Sequence, residues 1–154
     1  MADTARATAR SELVSFAFAL IGLAVSVYLT IEHYDSSVTL ACPESGTINC
    51  AKVTTSRWSH IGPMPVALLG LIFFVVMAIL TSPPAWRIRQ LDAIRVGSAA
   101  LGVASVVFLI WAELFQVNAI CLWCTVVHVC SVGLLVAILW RVSALPPRSA
   151  DQGD

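Results

Sequence analysis

Apolar residues in this chain come in long unbroken runs, not at the intervals that mark a half-buried helix or strand. Four stretches carry no Asp, Glu, Lys or Arg: 13–31, 61–86, 96–112 and 114–140. A helix needs about 20 largely apolar residues to cross the hydrocarbon of a bilayer. Each stretch therefore predicts a membrane helix. The third reaches that length by drawing on the preceding LDAIR turn, which puts Asp92 and Arg95 at the interface. The predicted spans are 12–32, 63–82, 91–115 and 119–141. The polar segment 33–62 joins the first two, and residues 1–11 and 145–154 form tails. The fold class expected is an all-α integral membrane protein, with four transmembrane helices forming one domain over 12–144.

Punctuation along the chain agrees with those limits. Pro63 and Pro65 stand at the start of the second span, where a missing amide donor costs little, and Ser82-Pro83-Pro84 stops it. Gly97, Ala99, Ala100, Gly102, Ala104 and Ser105 give the third span a close-packing surface. The long connection contains turn formers and predicts a cap of loops and short helices, the place where function is expected. Arg6 and Arg10 ahead of an apolar run look like a secretory leader, but no small-residue cleavage site follows, so a retained first helix is expected.

Composition sharpens the reading. Of 154 residues, 58% are hydrophobic and 12% charged, against about 25% charged in an ordinary soluble domain. The formal net charge of zero gives no reason to expect a nucleic-acid partner. The distribution of charge says more. Of nine basic residues, Arg6, Arg10, Arg87, Arg89, Arg95, Arg141 and Arg148 fall on one side of a four-span topology, leaving Lys52 and Arg57 on the other. Basic residues mark the cytoplasmic side, so both termini are expected there, and 33–62 becomes an extracytoplasmic cap.

That topology brings the cysteines into one compartment. Cys42 and Cys50 lie in the cap, and Cys121 and Cys124 lie where the last span begins on the same face. Two cysteines three apart are neighbours on a helix. Asn118 is a plausible cap for that helix, and its amide-rich end favours a thiolate. Taken alone, the CxxC pair also fits small core residues, and the four cysteines also fit a zinc site. The seven-residue spacing in the cap is unlike a paired zinc knuckle, and no metal is expected. Cys42 and Cys50 bracket PESGTIN and make a sensible extracytoplasmic disulfide, either an inert staple or one half of a relay. In the relay, an external dithiol reduces the cap pair, which passes electrons to the helix pair, each exchange needing a thiolate to attack a disulfide sulfur. Cys130, about 240° around the helix from Cys124, reads as a buried core cysteine.

A relay that ends in a membrane needs an acceptor. Binding apparatus for NAD, flavin or haem is not visible, whereas a lipid-soluble quinone needs only a cleft between spans.

Together, Cys42, Cys50, Ser56-Arg57-Trp58 and Cys121-Leu122-Trp123-Cys124 on this span pattern resemble the vitamin K epoxide reductase family, more particularly its bacterial homologues. The resemblance covers nearly the whole chain between the tails. It implies a four-helix bundle around a quinone site, closed by the cap. It also implies roles: Cys42 receives electrons from a partner, Cys50 exchanges with Cys121, and Cys124 engages the quinone, menaquinone or ubiquinone. Ser56 would lie near the quinone end of the cap, with Arg57 and Trp58 shaping or anchoring it. The implied partner is a separate extracytoplasmic thioredoxin-like oxidase, and the implied location is the bacterial cytoplasmic membrane. Two positions depart from the family pattern. Val66 stands where members commonly place Asn, and His128 stands where animal members have Tyr. Both weigh against epoxide reduction and leave plain quinone reduction credible.

Other polar and aromatic residues have milder readings. His128 shares a helix stripe with Cys124 and fits either an interhelical hydrogen bond or contact with a quinone. Trp58 and His60 fit interfacial anchors, and Glu113 a solvated cap at the end of the third span. Tyr28 and Trp111 fit either a pocket wall or ordinary packing. Lys52 and Arg57 are thin evidence for an acidic partner.

Overall fold

A computed structural model describes residues 2–35, 37–38, 40–43 and 45–144. The expected tail 145–154, with Arg148, lies outside the described residues. The described residues form five α-helices: α1 (Ala2–Tyr34), α2 (Cys50–Thr54), α3 (Val66–Leu80), α4 (Asp92–Trp111) and α5 (Leu122–Ser143). A small antiparallel hairpin, β1 (His60–Ile61) and β2 (Met64–Pro65), separates α2 from α3. Among the described residues, three helical segments are long and apolar enough to cross a membrane: Arg6–Tyr34, Arg89–Val117 and Leu122–Ser143. The shorter α3 is also apolar, and the chain is a multi-pass membrane protein.

The observed limits differ from the predicted ones for local reasons. Helix α1 begins ahead of its apolar run because Ala2, Ala5, Arg6, Ala7, Ala9 and Arg10 are strong helix formers. Helix α3 has 15 residues, fewer than the stretch between Pro63 and Ser82. Its N-terminal margin is taken by the hairpin, in which Gly62 adopts φ 61° as the first central residue of a two-residue turn. At the other end Thr81 closes the helix, its hydroxyl donating to the Met77 carbonyl at 2.7 Å.

Helices α1, α3, α4 and α5 alternate in direction. α1 packs along α5 and α3, and α4 packs against α5. The core is made by Ala19, Phe74, Met77, Trp86, Ala99, Cys130, Leu134 and Ile138. Close approach is set by small residues: a methyl group at Gly22 would fall 2.1 Å from the Phe74 ring, and one at Gly102 would fall 2.5 Å from Phe73. Hydroxyls inside the helices are satisfied by their own backbone, as Ser15 is on Glu12 and Ser131 on Val127.

At one end of the bundle the termini of α3, α4 and α5 converge on Trp86 and Arg95. The Arg95 side chain is fully buried, donates to the carbonyls of Leu80, Ala85 and Ile88, and pairs with Asp92. Its guanidinium lies 4.3 Å from the Trp86 ring centroid. Arg141 approaches the same ring at 5.4 Å and pairs with Glu12 at 2.7 Å, tying the end of α5 to the N-terminal third of α1. Sequence placed Arg95 at the interface, and the turns after α3 wrap its guanidinium in carbonyl oxygens.

A cysteine-lined site under the cap

At the opposite end, the cap is a short chain segment folded back onto the start of α5. Cys42 and Cys50 form a disulfide with Cα atoms 6.2 Å apart. Between them, Ser45 and Ile48 form an isolated bridge around Gly46, whose φ of 56° permits the tight reversal. Asn49 then caps α2, its side chain accepting from the Lys52 amide at 2.8 Å, so that Cys50 is the first residue of that helix.

Backbone hydrogen bonds join this segment to the one that precedes the CxxC pair. The Asn49 amide donates to the Ile120 carbonyl at 3.1 Å, and the Ile120 amide donates to the Thr47 carbonyl at 2.8 Å. Ile48 and Ile120 are thus paired in parallel, with Cys50 two residues beyond one and Cys121 one residue beyond the other. Both cysteines are buried, at 1% and 0% exposure.

A second pair of contacts holds the residue before Cys42. The Ala41 amide donates to the Tyr28 hydroxyl oxygen at 3.0 Å, while the Trp123 indole donates to the Ala41 carbonyl at 3.1 Å. Tyr28 and Trp123 meet edge to face at 5.1 Å. Trp123 lies between the two cysteines of the CxxC sequence, so one helix turn carries both the thiols and a clamp on the cap.

Asn118 does not cap α5. It takes a left-handed conformation, φ 52°, and terminates a π-helical turn, Ala112–Val117, that continues α4. Because Ile120 is engaged in strand-like pairing, the helix starts later and Cys121 itself is the cap. Its Sγ accepts from the Cys124 amide at 3.3 Å. Cys121 and Cys124 are free thiols, while the cap pair is oxidised.

Beneath the cap, helices α1, α3, α4 and α5 enclose a largely apolar cavity of about 560 Å³. Ser56, Trp58, Val66, Cys124 and His128 all reach its wall, and Cys42, Cys50, Cys121 and Arg57 do not. Trp58 closes one side, packed edge-on against Trp111 at 5.6 Å and Phe108 at 6.0 Å. Arg57 is exposed with its guanidinium 4.9 Å from the Trp58 ring centroid. The Ser56 hydroxyl donates to the Val53 carbonyl and helps shape the turn after α2. Tyr28 and Trp111 are not wall residues. Cys130 is 3% exposed and belongs to the core.

Glu113, expected as a solvated helix end, is 7% exposed and lines the cavity. The wider π turn carries it into the bundle, where its Oε2 accepts from the Cys121 amide at 3.5 Å. The signal available in sequence was an acidic residue eight positions before Cys121 with apolar neighbours on both sides. Trp123 had no comparable signal, because an aromatic beside a membrane interface needs no special explanation.

The cap disulfide, the adjoining thiol pair and the cavity are consistent with a thiol-redox relay. A search of curated proteins gave no match. A family model does match, over residues 13–139, an interval that contains the cap, all five cysteines and every wall of the cavity. On that agreement between matched sequence and cysteine architecture, the chain belongs to the vitamin K epoxide reductase family.

Proposed function

We propose that this protein oxidises an extracytoplasmic protein dithiol and reduces a membrane quinone, supporting disulfide-bond formation in a bacterial cytoplasmic membrane. The partner is a separate thioredoxin-like oxidase. The observation that carries the reading is the pairing of Thr47–Asn49 with Ile120, which delivers the cap disulfide beside a thiol pair whose second member opens into an apolar cavity.

In this reading all four long helices cross the bilayer. At 1.5 Å per residue α3 spans about 22 Å, and the hairpin and the turn at Thr81 supply the rest of its crossing. The cluster of basic residues around Arg95 and Arg141 faces the cytoplasm, and the cysteine end faces outward.

A partner thiolate attacks Cys42, breaking the Cys42–Cys50 bond and releasing Cys50 as a thiolate. The second partner thiol resolves the mixed disulfide and leaves oxidised. Cys50 attacks Cys121 of the oxidised CxxC pair, releasing Cys124, and Cys42 then closes on Cys50 to free Cys121. The result is an oxidised cap over a reduced helix pair, the redox form described above. Two electrons and two protons pass from the two thiols to the quinone, and the CxxC disulfide is restored. Cys124, on the cavity wall, is the thiol that meets the quinone. Burial of Cys50 and Cys121 beneath the cap keeps small thiols from short-circuiting the exchange. Trp58, Val66 and His128 form the quinone wall, Ser56 and Arg57 hold the turn that carries Trp58, and the walls need no metal, NAD or flavin.

Plain quinone reduction is preferred over epoxide reduction because Val66 offers the ligand no hydrogen bond where related proteins commonly have Asn. Purified protein assayed for thiol loss and quinone absorbance together tests the scheme, with quinone epoxide run beside quinone. Cys124→Ala should still react with the partner at the cap but lose multiple turnover. Steady-state quinone reduction by that variant would overturn the assignment.

A further inference from the structure

Charged groups drawn inside this bundle are paired. Arg95 has Asp92 and three carbonyls, and Arg141 has Glu12. Glu113 is also buried, yet no ion pair reaches it among the described residues. An unpaired carboxyl inside a protein costs several kcal/mol and is seldom kept for packing, which glutamine or leucine would serve as well. Its position is equally particular. A π turn swings it inward, and its Oε2 accepts from the amide of Cys121. It also lines the cavity shared with Cys124, and with His128 it forms part of a second, shallower groove between α4 and α5.

Resting on the reading above, we propose that Glu113 is the proton carrier of the quinone step. Oxidising two thiols to a disulfide releases two electrons and two protons, and a quinone needs both of each. As the Cys121–Cys124 bond forms, the Glu113 carboxylate takes one thiol proton and delivers it to an oxygen of the reduced quinone, returning to its starting form. The second thiol gives its proton to the other oxygen. Protons thus stay inside the cavity and need not cross the cap from water.

The other titratable groups facing this region are Cys124 and His128 on α5 and Glu32 and His33 on α1, with Cys121 beside Glu113 at the cap of α5. Helix α3 and the cavity-lining part of α4 contribute none. A comparison of wild type with Glu113→Gln therefore isolates the carboxyl. Glutamine keeps the shape and an oxygen for the Cys121 amide but carries no proton.

The test uses full-length protein in lipid nanodiscs with a short-chain quinone. Glu113→Gln should reduce the cap disulfide with thiol at the wild-type rate, and slow the quinone step about 100-fold at neutral pH. Raising the pH should restore much of that loss, because thiolates then form without a base. Glu113→Asp should retain most of the rate. In quinone-free protein, infrared difference spectra between the dithiol and disulfide forms of the helix pair should contain a carboxyl band that Glu113→Gln abolishes. A glutamine variant with normal quinone kinetics, one equally slow at every pH, or a spectrum unchanged by the substitution would overturn this role alone. Wild-type protein unable to reduce any quinone would overturn the parent reading with it.

Discussion

The two ends of this bundle solve opposite problems with the same backbone. Around Arg95, three helix termini and the side of α1 are held by charge-assisted hydrogen bonds, two ion pairs and guanidinium contacts to one tryptophan. At the cysteine end, the cap is held by a disulfide, two backbone bonds to Ile120 and two bonds to Ala41, above a largely apolar cavity. Bonds to a buried guanidinium resist opening because every carbonyl it satisfies would lose its partner. The cap contacts are neutral, few and partly exposed, so they can break one at a time. The comparison teaches that, in the proposed relay, stability and exchange chemistry are separated along the bundle axis: one end fixes the helices, and the other leaves a disulfide free to move.

The sharpest way to break this division is to remove the bond that both closes the cap and carries the chemistry. Cys50→Ala should abolish turnover. It should also loosen the cap by about 2.5 kcal/mol, the chain-entropy value for so short a loop. Hydrogen exchange should rise over 40–50 and stay unchanged around Arg95. Faster exchange throughout the bundle would show that the ends are not independent.

Arg95→Leu tests the other end. It leaves the carbonyls of Leu80 and Ala85 without their donor and should cost about 3 kcal/mol in denaturant unfolding. Thiol exchange per folded molecule should remain as in the wild type.

A finer test keeps the Trp123 ring and removes one donor. Trp123→Phe should weaken the cap by about 1 kcal/mol and slow transfer from Cys50 to Cys121 several-fold, measured by trapping the mixed disulfide. Tyr28→Phe should act in the same direction. Unaltered trapping kinetics in both would reduce the clamp to packing. Smallest of all, Arg141→Gln breaks a partly exposed ion pair and should cost at most about 1 kcal/mol with no change at the cap.

Particular residues show why some of this was legible beforehand. The cysteine set could be read because exchange chemistry admits few residue types and the charge bias indicates which ends meet, whereas the Ser56-Arg57-Trp58 turn stood out only through its resemblance to the family. The start of α5 could not. Asn118 is a good cap by composition, but the pairing of Ile120 with the cap pulls that segment into an extended form, and Cys121 takes over the position. Glu113 misled for a similar reason. At a regular helix end it would reach solvent, and a wider turn is decided by neighbours that local propensity does not contain.

Sequence by itself determined a chain too apolar for water, with long helical runs, a polar cap and cysteines in two separated couples. Those properties follow from hydrophobicity, charge placement and residue chemistry, each local or summed along the chain. Only the tertiary structure decided that Ile48 lies beside Ile120, that Trp123 holds Ala41, and that Arg95 and Glu113 turn inward. These outcomes depend on hydrogen-bond partners brought from far along the chain, and no local pattern records which partner will arrive.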